Sequence, residues 1–81
     1  MTEETRKQLI KVVGKKVEEA RIALRQGREE TRKRIEAMEK AKEITQDDRY
    51  GMQEDLDELV GEFNKRIEAM GSEKEAQIAT V

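Results

Sequence analysis

Arginines at helical spacing are the residues of this sequence that point most directly to a binding chemistry. An arginine carries a permanent positive charge and a planar fork of N–H donors, which suits phosphate oxygens. Steps of four, three and four residues place four arginines within about 60° of one another on a helix surface. We call this set the arginine strip: Arg21, Arg25, Arg28 and Arg32. On a helix it would extend roughly 16 Å, enough to contact several phosphates of a nucleic acid backbone.

Spacing alone leaves a second interpretation of the arginine strip open. Glu18, Glu29 and Glu36 flank it, and oppositely charged residues three or four positions apart on a helix form ion pairs. In that case the strip would be an ordinary solvated helix face that binds no ligand.

Catalysis and metal binding are not predicted. The sequence contains no cysteine and no histidine, which excludes thiol nucleophiles, thiolate zinc sites and the commonest general base. A carboxylate cluster has neither a histidine partner nor the spacing of a calcium-binding loop, so we expect a solvated helix face there. This acidic cluster comprises Glu54, Asp55, Asp57, Glu58 and Glu62. We therefore expect no enzyme, no cofactor and no bound metal.

Two long helices are predicted to carry these residues. Apolar side chains recur every three or four residues in two series, which is the pattern of amphipathic helices. The first series runs from Leu9 to Met38 and the second from Met52 to Met70. We predict an all-α chain with a single helical domain over 1–81: a helix over about 3–42, a turn over about 43–45 and a helix over about 46–78.

The expected helix starts carry recognisable caps. Thr2 is the predicted N-cap and is followed by two glutamates, which suit the positive end of the helix dipole. Thr45 and Asp48 have the spacing of a capping box, with aspartate in place of the usual glutamate or glutamine. The short connection between the helices forces an antiparallel hairpin.

A two-helix hairpin of this length can bury only part of its apolar surface. We expect Phe63 to lie in the core. Gly27, on the apolar face, is either a tolerated weak point or a place where another helix approaches closely. Because chains of this size rarely fold on so little core, we expect a three-helix bundle, completed by a missing segment or by self-association as a homo-oligomer.

Charge is distributed unevenly between the two predicted helices. Residues 1–45 hold 13 basic and 9 acidic residues for a net charge of +4, whereas residues 46–81 hold 4 and 10 for a net charge of −6. No apolar run is long enough to cross a membrane, and no signal peptide is visible, so a cytoplasmic location is expected. The shortage of Trp and Phe also argues against an amphipathic membrane-surface helix.

Four segments, in order and at matching separations, resemble the C-terminal part of the ribosome recycling factor family. These segments are 2–9, 19–28, 40–48 and 73–75. The resemblance implies a long three-helix bundle that is joined by a hinge to a small β-domain inserted after the first helix. This chain is similar only to the second and third helices of that bundle, so we expect a fragment that lacks the first helix and the β-domain.

The resemblance also implies a function. Members of the family act with elongation factor G and GTP to split ribosomes after termination, and they bind large-subunit ribosomal RNA through arginines. Arg25 and Arg28 match arginines of the family that contact RNA, Arg21 matches a further arginine, and Arg32 extends the strip. Glu29 stands where the family often has a basic residue, so we expect a locally weaker RNA contact there.

An alternative function remains for the same residues. The chain would then be a helical oligomerisation module, or a coiled-coil interaction module, with no role in RNA binding. The arginine strip would make only surface ion pairs, and reversing the charge of Arg25 would change little because such pairs contribute about 0–1 kcal/mol.

Overall fold

A computed structural model describes residues 2–80 and shows two helices packed as an antiparallel hairpin. Helix α1 spans Glu3–Lys40 and helix α2 spans Gln46–Thr80. The hairpin measures 60 × 15 × 9 Å, and residues 2–80 contain no strand. The prediction of an all-α hairpin is confirmed. Met1 and Val81, the two ends of the predicted domain, lie outside the described residues.

Helix α1 begins as its sequence predicts. Thr2 has extended backbone angles, and its hydroxyl accepts a hydrogen bond from the Thr5 backbone N–H at 3.1 Å. Glu3 and Glu4 lie in the first turn, at the positive end of the helix dipole. The N-cap expected at Thr2 is therefore confirmed.

Helix α1 ends two residues before the predicted position at 42. Lys42 adopts the left-handed conformation, with φ at 62°, which an α-helix cannot continue. The Glu43 backbone N–H donates to the Met38 carbonyl at 2.9 Å, and the Lys42 N–H donates to the Glu39 carbonyl at 2.9 Å. This pair of bonds is the Schellman motif, which satisfies carbonyls that the helix end would leave without partners.

Helix α2 begins with the predicted capping box. The Thr45 backbone N–H donates to the Asp48 carboxylate, and the Asp48 backbone N–H donates to the Thr45 hydroxyl, both at 3.1 Å. Each side chain thus satisfies a backbone donor of the other residue. Arg49 also pairs with Glu39 of α1, which ties the two sides of the turn together. At its far end α2 continues to Thr80, two residues beyond the predicted position.

The seam between the helices is narrow. Half-buried apolar residues line it from both sides: Val13, Val17, Ala20 and Leu24 of α1, and Leu56, Val60 and Ile67 of α2. Among residues 2–80, only Ile35 and Gly71 are buried. The hairpin therefore has a seam rather than an enclosed core.

Gly71 marks a point of very close contact between the helices. A Cβ atom placed on Gly71 would lie 2.8 Å from Cγ2 of Val17, closer than two carbon atoms can pack. No such approach exists at Gly27, where a Cβ atom would have no neighbour within 4 Å. The glycine that allows the helices to meet is thus Gly71 and not Gly27.

One apolar stripe of α2 is left uncovered. Its residues repeat at intervals of seven, four and seven, so they lie on one side of the helix. This open stripe consists of Met52, Leu59, Phe63 and Met70, which are 39%, 49%, 42% and 63% exposed. The prediction that Phe63 lies in the core is wrong for this hairpin, because α1 covers a different side of α2.

Candidate nucleic-acid interface

The arginine strip lies on the continuous central part of α1. All four of its residues fall inside Glu3–Lys40, so the helical rise places them along roughly 16 Å of one side of the rod. Arg25 is the most exposed of the three paired members, with 69% of its side-chain surface accessible, compared with 34% for Arg28 and 49% for Arg32. Arg21 is half-buried.

Arg28 pairs with a carboxylate of the other helix. Its Nη2 lies 2.8 Å from Oδ1 of Asp57, and its Nε donates to the same oxygen at 2.9 Å. The Glu29 carboxylate lies 3.4 Å from its Nη1. Asp57 belongs to the acidic cluster, for which a solvated face was predicted, and its side chain is 59% exposed. The hairpin also brings Asp57 beside the arginine strip, which the sequence did not predict.

Two other members of the arginine strip pair within α1. Arg25 lies 3.4 Å from Glu18. Arg32 lies 3.5 Å from Glu36 and 3.9 Å from Glu29. The ion pairs that the alternative interpretation expects are therefore present. They are exposed and contribute only about 0–1 kcal/mol each, so they do not bar these arginines from a phosphate.

Arg21 differs from the rest of the arginine strip. It forms no ion pair within residues 2–80, and its Nε is buried without a hydrogen-bond partner. Its charge is therefore not compensated by a contacting carboxylate of the described chain. A guanidinium in this state is a stronger attractor of an external anion than one that is already paired.

An open cleft of about 430 Å³ adjoins Arg21 and is lined by both helices. Arg21, Arg25 and Glu18 line it from α1, and Asn64, Lys65 and Glu68 line it from α2. Asn64 and Lys65 were not predicted from the sequence. One feature of the sequence sets Lys65 apart, since it is one of only four basic residues after Thr45. No local pattern, however, relates Lys65 to Arg21.

A second, smaller cleft of about 170 Å³ adjoins the other end of the arginine strip. It is lined by Arg28 and Arg32 of α1 and by Gln53, Leu56 and Asp57 of α2. The structure thus places all four arginines along the groove between the helices rather than on the outer side of α1.

Residues 2–80 contain no group of three or more acidic side chains placed to hold a metal ion. No helix within this range is both long enough and apolar enough to span a bilayer.

Comparison with known proteins decides the family. The family model described as Ribosome recycling factor matches residues 1–78. The chain belongs to the ribosome recycling factor family. The resemblance seen in the four sequence segments is thereby confirmed.

Curated members of the family match the whole chain but only part of their own length. The ribosome-recycling factors of Alkaliphilus metalliredigens, Listeria monocytogenes and Neorickettsia sennetsu are 42%, 41% and 38% identical to it over 81 residues. The chain spans 44% of each of these relatives. No solved structure matches the chain.

Proposed function

We propose that this chain is the RNA-docking part of a translation factor that recycles ribosomes in the cytoplasm. Its arginine strip contacts phosphates of large-subunit ribosomal RNA. The observation that carries the proposal is the row of four arginines along the interhelical groove of a chain that matches the family over residues 1–78. The chain performs no covalent chemistry, and the splitting of ribosomes with elongation factor G requires the full-length protein.

The hairpin suits this role because it is an extended rod. Since α1 is continuous from Glu3 to Lys40, the distances between the arginine positions are fixed by the helix and need no ordering on binding. Arg25, Arg28 and Arg32 can each exchange a carboxylate for a phosphate, because the exposed ion pair that is lost contributes little free energy. Shape and phosphate contact, rather than base reading, is the expected mode of recognition for structured RNA.

Binding to purified bacterial large ribosomal subunits tests the proposal. We expect Arg25→Glu and Arg28→Glu each to lower the affinity at least tenfold. For four phosphate contacts, raising the salt from about 50 to about 200 mM should lower the wild-type affinity on the order of 100-fold. Lys33→Glu is the matched control, because it makes the same charge change on α1 about 110° away from the strip.

Two results would contradict the proposal. One is binding that does not change with salt or with charge reversal in the strip. The other is an equal loss for Lys33→Glu and Arg28→Glu, which would indicate a response to overall charge. Either result would favour the alternative, a helical interaction module whose arginines make only surface ion pairs.

We also propose that isolated copies of this chain associate through the open stripe. The stripe exposes four large apolar residues on one side of α2, and burying them stabilises an assembly by roughly 25 cal/mol per Å². The occupant that fits is a second hairpin. Residues 1–45 carry a net charge of +4 and residues 46–81 a net charge of −6, so a packing with α1 of one copy beside α2 of the other is electrostatically favoured.

A further inference from the structure

We propose that α2 contributes to the RNA-binding surface, through a phosphate subsite formed by Arg21 of α1 with Asn64 and Lys65 of α2. This inference rests on the proposed function and extends it from one helix to two. The three side chains line the same open cleft of about 430 Å³.

The first observation in its favour is uncompensated charge. Arg25, Arg28 and Arg32 each contact at least one carboxylate. Arg21 and Lys65 form no ion pair within residues 2–80, and the Nε of Arg21 is buried without a hydrogen-bond partner. The two cations that face the cleft without carboxylate partners thus come from opposite helices.

The second observation is the set of donors around the cleft. A guanidinium supplies a rigid fork, an ammonium supplies a compact charge, and the amide of Asn64 supplies two further N–H groups. All three are donors for phosphate oxygens, and the space is open to solvent, as a phosphate within a continuous RNA strand requires. The negatively charged members are Glu18 and Glu68.

The two carboxylates that line the cleft, Glu18 and Glu68, differ in how strongly they oppose a bound anion. Glu18 is engaged by Arg25 at 3.4 Å, so its charge is partly offset. Glu68 has no ion-pair partner within residues 2–80 and opposes any anion in the cleft. Removing its charge should therefore strengthen phosphate binding, whereas it would weaken the binding of a cation or a basic peptide at the same place.

A subsite at this position defines where the RNA backbone lies. A phosphate held by both helices would sit over the interhelical groove, beside Arg25. The strand would then follow the groove toward the second cleft, at Arg28 and Arg32. If the RNA contacted α1 alone, Lys65 would not contribute to binding.

Charge reversal at Lys65 tests the subsite, with purified large ribosomal subunits as the probe. We expect Lys65→Glu to lower the affinity about tenfold and to reduce the salt slope by about 1, as the loss of one phosphate contact does. Glu68→Gln should raise the affinity severalfold.

The matched control for Lys65→Glu is Arg66→Glu. It makes the same charge change one residue later, about 100° around the helix and on the side of Phe63. It should alter the affinity less than twofold.

The outcomes separate this inference from the function on which it rests. If Arg28→Glu lowers the affinity at least tenfold while Lys65→Glu behaves like Arg66→Glu, the subsite is overturned and the proposed function stands. If the wild-type chain does not bind the subunits, both are overturned. Circular dichroism shows whether the Lys65→Glu variant keeps its helix content. Lys65→Gln is a milder variant that removes the positive charge without adding a negative one, and it should still lose affinity if the lysine contacts phosphate.

Discussion

Arg28 and Asp57 join the two helices through a shared oxygen, with Oδ1 of the aspartate 2.8 Å from Nη2 and 2.9 Å from Nε of the arginine. This ion pair lies at the centre of the arginine strip and holds one of its guanidinium groups against α2. Asp57 therefore has two opposing effects on the proposed RNA contact. It orients Arg28, and it neutralises part of the charge that would attract a phosphate.

Replacing Asp57 by Asn should separate these effects. Because the pair is partly exposed, its loss should lower the free energy of unfolding by no more than about 1 kcal/mol. Affinity for large ribosomal subunits should rise severalfold, since a negative charge beside the strip is removed. Urea denaturation measures the first quantity and a binding titration measures the second.

Asp55→Asn is the control for the change at Asp57. It removes the same charge from the acidic cluster, but Asp55 forms no ion pair within residues 2–80 and lies on the side of α2 away from Arg28. An affinity gain of equal size for both variants would mean that net charge, and not the Arg28 contact, controls binding. A loss of affinity for Asp57→Asn would mean that orientation of Arg28 outweighs its neutralisation.

The contact between Gly71 and Val17 predicts an unusual response to alanine. In an open helix position, Gly→Ala stabilises by about 1 kcal/mol because alanine is the better helix former. Gly61, with no atom within 4 Å of its Cβ position, should behave in this way. Gly71→Ala should instead destabilise by about 1–3 kcal/mol, because its Cβ would lie 2.8 Å from the stiff Val17 side chain.

Thermal or urea unfolding of the two alanine variants checks this contrast. Val17→Ala removes the methyl group that collides, so it should be less harmful in the Gly71→Ala background than in the wild type. Equal stabilisation by Gly61→Ala and Gly71→Ala would show that the helices do not meet as closely as described.

The fold was largely predictable because its determinants are local. The capping box at Thr45 and Asp48 and the helical spacing of apolar residues act within a few positions, and both were read correctly. Phe63 was assigned wrongly because periodicity shows that a residue is on an apolar face but not which of two neighbouring faces the partner helix covers. Gly71 was missed as a contact point for the same reason, since only the register between helices brings Val17 to it.

The candidate site was predictable only in the part that lies on one helix. The spacing of the arginine strip located four residues on α1. Asp57, Asn64 and Lys65 come from α2 and reach the strip through the register of the hairpin, which no pattern within a single helix encodes. Their positions beside the strip therefore emerged only with the packed structure.

The turn offers a stabilising change. Lys42 has φ at 62°, a left-handed conformation that costs a residue with a Cβ roughly 1 kcal/mol and costs glycine little. Lys42→Gly should therefore raise the free energy of unfolding by up to about 1 kcal/mol, as measured by urea denaturation. Lys40→Gly is the control: this residue is still helical, so the same substitution should destabilise. A loss of stability in both variants would contradict the Schellman geometry at Lys42.

The open stripe makes a prediction about the assembly state of the chain. Phe63 is 42% exposed in the hairpin, and its replacement by serine removes the largest apolar group of the stripe. If a second copy covers the stripe, light scattering coupled to size exclusion should show an oligomer for the wild type and a shift toward monomer for Phe63→Ser. Tyr50→Ser is the control, because Tyr50 is an exposed aromatic residue of α2 that lies outside the stripe. This variant should leave the measured mass of the assembly unchanged.

If the wild-type chain is a monomer across the accessible concentration range, association through this stripe is overturned. If Phe63→Ser and Tyr50→Ser shift the mass equally, the interface lies elsewhere on α2.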